Sequence, residues 1–209
     1  MTQKMKPHLK TLPGHPEYFD AMFAKTDDPW LFKSRWYERR KRVLTLACLP
    51  SERYRYGFEP CCANGELSAH LATRCDRLMV SDGVDRAVVL ARERLKHLPN
   101  VEVCKAWLPI EWPREKFDLI VLSEFLFYVK PAIVEEITNR AQRSLTAGGV
   151  ILACHWRHPI QGCEFNGNDV HEALRQFIRL PNQCSIVEPD LRLDVWSSGP
   201  TLAMRESIH

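Results

Sequence analysis

Five side chains able to bind hydroxyls or move protons stand where predicted strands end. Glu59 closes an apolar run and leads into Pro60-Cys-Cys-Ala-Asn-Gly65, a tight turn that opens a helix. Asp82 ends the next run, Arg77-Leu-Met-Val-Ser-Asp82. Glu124 ends Phe117-Asp-Leu-Ile-Val-Leu-Ser-Glu124, and His155 and His158 follow a further apolar segment. A carboxylate accepts two hydrogen bonds side by side, so Asp82 suits the paired hydroxyls of a ribose. Strand, turn, helix and strand with an acid at the second tip is the layout that holds an adenosine-containing cofactor. Glu124 and His155 are of the types that take a proton from an attacking group.

The elements that must carry these residues alternate. Strands are expected near 55–60, 77–82, 101–105, 117–122, 149–155, 184–188 and 192–197, and helices near 65–74, 85–97, 131–145 and 168–178. Pro131 opens one helix and Gly148-Gly149 is expected to close it. Such alternation predicts an α/β fold with a doubly wound, mostly parallel sheet. In the expected organisation residues 1–15 form a flexible lead and 16–209 a single domain, with a helical cap over 16–50 and the sheet core over 55–209. In the cap, a short helix over 17–24 precedes the Asp27-Asp-Pro-Trp30 turn. A longer helix, capped by Ser34 and stopped at Pro50, places Trp36, Tyr37, Arg40, Lys41 and Leu44 on one side. Its basic residues read as a solvated face with some members lining an anion pocket.

Composition narrows the function classes. Of 209 residues 45% are hydrophobic and 26% charged, ordinary for a globular protein, and the net charge of +3 is too small to imply nucleic acid. No window approaches the roughly 18 apolar residues of a membrane span. The N-terminus has no apolar stretch of a secretory signal, so a cytoplasmic location is expected. The eight cysteines show no C-x-x-C pair, which reads as reduced thiols, mostly core, with no metal site. Apart from His155 and His158, the histidines, His171 included, are expected at the surface.

The segment Phe117–Glu124, the aromatic run Phe125-Leu-Phe-Tyr128 and Leu145-Thr-Ala-Gly-Gly-Val-Ile-Leu152 follow the first two strands in order. From Phe58 to about Leu152 the chain resembles the class I S-adenosylmethionine-dependent methyltransferases. Asp27-Asp-Pro-Trp30, Trp36-Tyr-Glu-Arg-Arg-Lys41, Phe58-Glu-Pro60, Ile110-Glu-Trp-Pro113 and His155-Trp-Arg-His-Pro159 make it similar, over roughly 17–175, to the NodS group of N-methyltransferases. The resemblance implies a Rossmann-like sheet of seven strands, the last antiparallel, with S-adenosylmethionine as cofactor and S-adenosylhomocysteine as product.

By the same resemblance the cofactor would lie among Trp30, Tyr37, Lys41, Glu59, Cys61, Ala63, Gly65, Asp82, Gly83, Val84, Ala106, Trp107, Leu108 and Ser123. Lys41 would offer a cation to its carboxylate, and Val84 and Trp107 would flank the adenine. Glu124 and His155 are the candidate catalytic residues, and Tyr128, His155, Arg157 and His158 the candidate substrate contacts. Two departures stand out: Cys61 and Ala63 occupy positions where the pattern Glu-x-Gly-Cys-Gly-x-Gly has glycine. The implied acceptor is an amine, or a hydroxyl, on a small or saccharide-like molecule, with no nucleic acid or membrane partner. A degenerate cofactor fold acting as a scaffold, and a nucleic-acid methyltransferase, are the competing readings. No Asn/Asp-Pro-Pro-Tyr-type base pocket follows the fourth strand to support the latter.

Overall fold

A computed structural model describes residues 13–208. The elements run α1 (Pro16–Phe23), α2 (Trp36–Ala47), β1 (Tyr54–Pro60), α3 (Glu66–Leu71), β2 (Cys75–Asp82), α4 (Asp85–Leu95), β3 (Val101–Lys105) and β4 (Phe117–Ser123). There follow α5 (Pro131–Ser144), β5 (Leu145–Trp156), α6 (Gly167–Phe177), β6 (Asn182–Val187), β7 (Leu191–Ser197) and α7 (Leu202–Glu206). The expected lead lies, up to residue 12, outside the described residues.

The seven strands form one sheet in the order β3-β2-β1-β4-β5-β7-β6. All pairs from β3 to β5 are parallel, while β7 runs antiparallel to both β5 and β6. Strand order reverses between β1 and β4, so a crevice opens at their carboxyl ends, where ligands of such sheets bind. The central strands are buried on both faces, which explains why they read as continuous apolar runs. Leu119, Val121, Val150, Leu152, Leu193 and Val195 pack on the side of α3 and α4. Ile120, Leu122, Ile151, Ala153 and Trp196 pack with Val134 and Ile137 of α5 and Val170 and Leu174 of α6 on the other. The switch of face at each residue is the strand period of two.

Three local expectations are corrected. Arg35 rather than Ser34 precedes α2, because Asp28 organises that turn: its two oxygens accept from the amides of Phe32 (2.8 Å) and Lys33 (3.0 Å). Gly148 and Gly149 lie within β5, beyond the end of α5. Pairing with β4 jumps from Phe117–Leu145 to Leu119–Val150, and Gly148 takes the positive φ (71°) that this bulge requires. The helix expected near 65–74 is α3 followed by a single 3₁₀ turn over Ala72–Arg74.

Candidate active site

At the switch point the loops after β1, β2, β3, β4 and β5 meet α1 and α2 around a cavity of about 650 Å³. The loop after β1 is wound left-handed three times: φ is 56° at Cys61, 49° at Ala63 and 78° at Gly65. A side chain in this region costs roughly 1–2 kcal/mol, so two non-glycine residues hold the conformation that glycine adopts freely. The fold supplies the restraint. Cys62 donates its amide to Ser81 O (2.9 Å), and Ala63 donates its amide to Asp82 Oδ2 (3.0 Å). Gly65 faces α4, where a Cβ would meet the Ala91 Cα at 3.3 Å and Leu95 at 3.2 Å.

Asp82 is buried, and its Oδ1 accepts from the Val84 amide (3.0 Å), so one carboxylate ties the loops after β1 and β2 together. Burial raises its carboxyl above the usual value, against the lowering effect of those amides. Glu59 lies deeper, with Oε2 lacking a hydrogen-bond partner among the described residues. Burial first, and then the charge of Asp82, push its carboxyl up to about 8 against a lowering by Ser68. Behind Asp82, Gly83 is the seat of the Trp107 ring: a Cβ there would stand 2.1 Å from Cε3. Trp107 packs in one cluster with Val84, Ala63, Trp30 and Phe23.

The other end of the cavity is built on a buried charge cluster. Lys41 Nζ lies 2.7 Å from Glu124 Oε1 and 2.8 Å from Glu38 Oε2. Burial alone would lower its ammonium, but the two carboxylates outweigh this and push it above the lysine range. Glu124 sits at φ 60° directly after β4, and its Oε2 accepts from the Trp156 amide (3.0 Å). Aromatic rings enclose this cluster. Tyr37 lies edge-on to Trp156 at 5.1 Å and under Lys41 at 5.1 Å, and its buried hydroxyl has no partner among the described residues. Tyr128 meets Phe19 of α1 edge-on at 5.1 Å.

Of the residues expected around a cofactor, all but Gly65 line this cavity, and so do Glu124 and Tyr128. His155, Arg157 and His158 do not. Neighbouring residues on a strand point to opposite faces, so Trp156 reaches the cavity and His155 turns to α6. There, fully buried, it lies 3.2 Å from His171 Nε2, and His171 Nδ1 lies 2.6 Å from Asp194 Oδ2. His171 is therefore a core residue rather than a surface one. Arg157 bonds Asn168 and the Glu188 carbonyl, and the half-exposed His158 pairs with Asp190 at 2.7 Å. The thiols are free, with Cys62, Cys75 and Cys154 buried and the other five half-buried.

Sequence reasoning passed over Glu38 and counted Arg42 only among the basic residues of α2; it also passed over Asn64, Phe32, Trp156 and Tyr18, and all six line the cavity. The signal for the first two lay in the spacing of polar residues on α2. Glu38, Lys41, Arg42 and Thr45 are its buried positions, while Trp36 and Val43 are each 67% exposed. Trp36 thus leaves the side on which it was expected beside Tyr37 and Lys41.

The chain is similar to several known proteins. The family model described as Nodulation protein S (NodS) matches residues 21–146. Nodulation protein S of Sinorhizobium fredii is 27% identical over 186 residues, spanning 84% of this chain and 85% of that protein. Its counterpart from Rhizobium tropici is 31% identical over 128 residues, 60% of this chain and 54% of the relative. Among solved structures, a putative methyltransferase from Pseudomonas syringae is 48% identical with a TM-score of 0.71, covering 78% of this chain and 99% of that one. The N-methyltransferase NodS of Bradyrhizobium japonicum WM9, in complex with S-adenosyl-L-homocysteine, shares the fold at a TM-score of 0.79 and 24% identity, covering 87% and 97%.

Proposed function

The chain belongs to the Nodulation protein S (NodS) family, and from that premise we propose that it methylates a nitrogen of a small or saccharide-like amine. It is an S-adenosylmethionine-dependent methyltransferase. The cavity suits that cofactor on three counts: the left-handed backbone at Cys61, Ala63 and Gly65, the unpartnered Glu59 Oε2, and the buried Asp82 carboxylate beside the Trp107 wall. Asp82 and Glu59 would hold its hydroxyls, and Val84, Trp107 and Leu108 its base. When bound, S-adenosylmethionine supplies a methyl group on a positively charged sulfur, already activated for displacement.

The chain's own residues then exclude water, hold the acceptor in line and receive its hydrogen bonds. Tyr18, Phe19 and Met22 of α1 roof the cavity, and Tyr37, Tyr128 and Trp156 wall it. Positioning of this kind supplies about 7–11 kcal/mol of a displacement barrier. Each oxygen of Glu124 has one protein donor and keeps a lone pair for an N–H of the acceptor. That contact orients the nitrogen lone pair.

The single observation that carries the nitrogen reading is the Lys41–Glu124 pair at 2.7 Å. An alcohol holds its proton far more tightly than a carboxylate paired with an ammonium can take it. A neutral amine attacks through its lone pair and needs only an acceptor that orients it.

The test is methyl transfer from labelled S-adenosylmethionine to amino sugars with a free amine, to their N-acetylated forms and to the parent sugars. Transfer to the free amines alone supports the reading, with loss in Asp82→Ala as the control. Transfer to the hydroxyl compounds alone would overturn it.

A further inference from the structure

Arg42 is 7% exposed, and among the described residues no carboxylate lies within ion-pair distance of it. Its Nη1 donates to the Phe32 carbonyl at 2.9 Å, whereas Nε has no partner among the described residues. Asn64, 2% exposed, presents the complementary deficit: its Nδ2 donates to Asp28 Oδ1 at 3.1 Å, and its Oδ1 has no partner among the described residues. Both residues line the same cavity. A buried guanidinium without a direct ion pair and a buried amide oxygen without a donor are each costly, unless a ligand completes them.

We propose that Arg42 and Asn64 form a clamp for the amino-acid end of the cofactor, Arg42 taking its carboxylate and Asn64 Oδ1 its ammonium. This rests on the cofactor reading above. The expected cation, Lys41, is already held between Glu38 and Glu124. The remaining acid of this wall, Glu66, is paired with Arg94 at 2.8 Å. Arg42, which feels the charge of Glu38 but has no carboxylate within ion-pair distance among the described residues, is therefore the buried cation of the cavity left open to a ligand. A donor of positive charge and a neutral acceptor in one cavity match a zwitterion, and an α-amino acid carries both groups on one carbon.

Asp28 aligns the pair. Its oxygens fix the amides of Phe32 and Lys33, which places the Phe32 carbonyl under Arg42, and Oδ1 also holds the Asn64 amide. The Asp27-Asp-Pro-Trp30 segment thereby turns the free edge of Arg42 and the free oxygen of Asn64 into ligand groups. Asp28 acts only through these two residues and is a positioning residue.

The clamp is tested by calorimetric titration with S-adenosylhomocysteine and with 5′-methylthioadenosine, the same nucleoside thioether without the amino-acid end. Arg42→Met should weaken S-adenosylhomocysteine more than about ten-fold and leave 5′-methylthioadenosine within about two-fold. Asn64→Ala should act in the same direction, about three- to ten-fold. Retained 5′-methylthioadenosine binding shows that each variant is folded. Equal losses for both ligands, or unchanged S-adenosylhomocysteine affinity in both variants, would overturn the clamp alone. Failure of the unmodified protein to bind either ligand would overturn the cofactor reading, and the clamp with it.

Discussion

At the scale of single residues, the site is governed by where charge is buried. Glu59 has its carboxyl raised to about 8 by burial and by Asp82. A raised folded value means that the folded state binds this proton more tightly than the unfolded chain. The stabilisation is complete below the ordinary carboxylate range and is lost as pH rises toward about 8. Glu59→Gln should flatten the fall in melting temperature between about pH 5 and 8, and a fall as steep as in the unmodified protein would contradict the assignment. In the proposed reading Glu124 serves the acceptor, so Glu124→Gln should lower kcat by about ten- to a hundred-fold while S-adenosylhomocysteine affinity stays within a few-fold. Intact kcat with weakened affinity would move Glu124 to the cofactor side. These two acids were legible because each ends an apolar run. Asn64 was not, and although the polar spacing of α2 put Arg42 on one stripe, nothing local distinguishes an unpaired buried cation from a solvated one.

At the scale of elements, α2 is inverted relative to an ordinary amphipathic helix. Its charged stripe faces the cavity, and Trp36 and Val43 face outward. The inversion is stable because the inward charges meet partners: Lys41 finds Glu38 and Glu124, and Arg42 finds the Phe32 carbonyl. Val43→Lys should therefore change stability by less than about 0.5 kcal/mol. Lys41→Met should cost several times more, because it leaves Glu38 and Glu124 facing one another without the cation. Urea titration of both variants checks the order, and a larger loss from Val43→Lys would put the helix the other way round. Charge content marked α2 as a basic helix, but the direction of its stripe depended on residues more than 80 positions away.

At the scale of the whole molecule, the antiparallel edge is braced to α6 by the buried chain His155–His171–Asp194. Burial lowers both imidazoles, His155 well below the usual range and with a further contribution from His171. Lowered folded values mean that the unfolded chain takes up protons first. This stabilisation is present above the ordinary imidazole value and is lost as pH falls through it. The slope of unfolding free energy between about pH 6.5 and 5 should therefore include up to about two protons, near 1.4 kcal/mol per pH unit for each. His155→Leu should remove about one of them, and an unchanged slope would place the titration elsewhere.

The sequence by itself determined the alternation of strand and helix and the acids Glu59, Asp82 and Glu124 at strand ends. Each of these is written in a local period of two or 3.6 residues, or in the break that ends it. Only the tertiary structure decided that Lys41 is spent on Glu124, that Arg42 and Asn64 are left open, and that Trp156 rather than His155 faces the cavity. It also decided that Cys61 and Ala63 hold a glycine-like turn, because backbone donors and the Asp82 carboxylate impose that conformation from a neighbouring strand. A period states that two faces of an element differ. Which face is buried, and which charge remains unpaired, is settled by partners that only folding brings within a few ångströms.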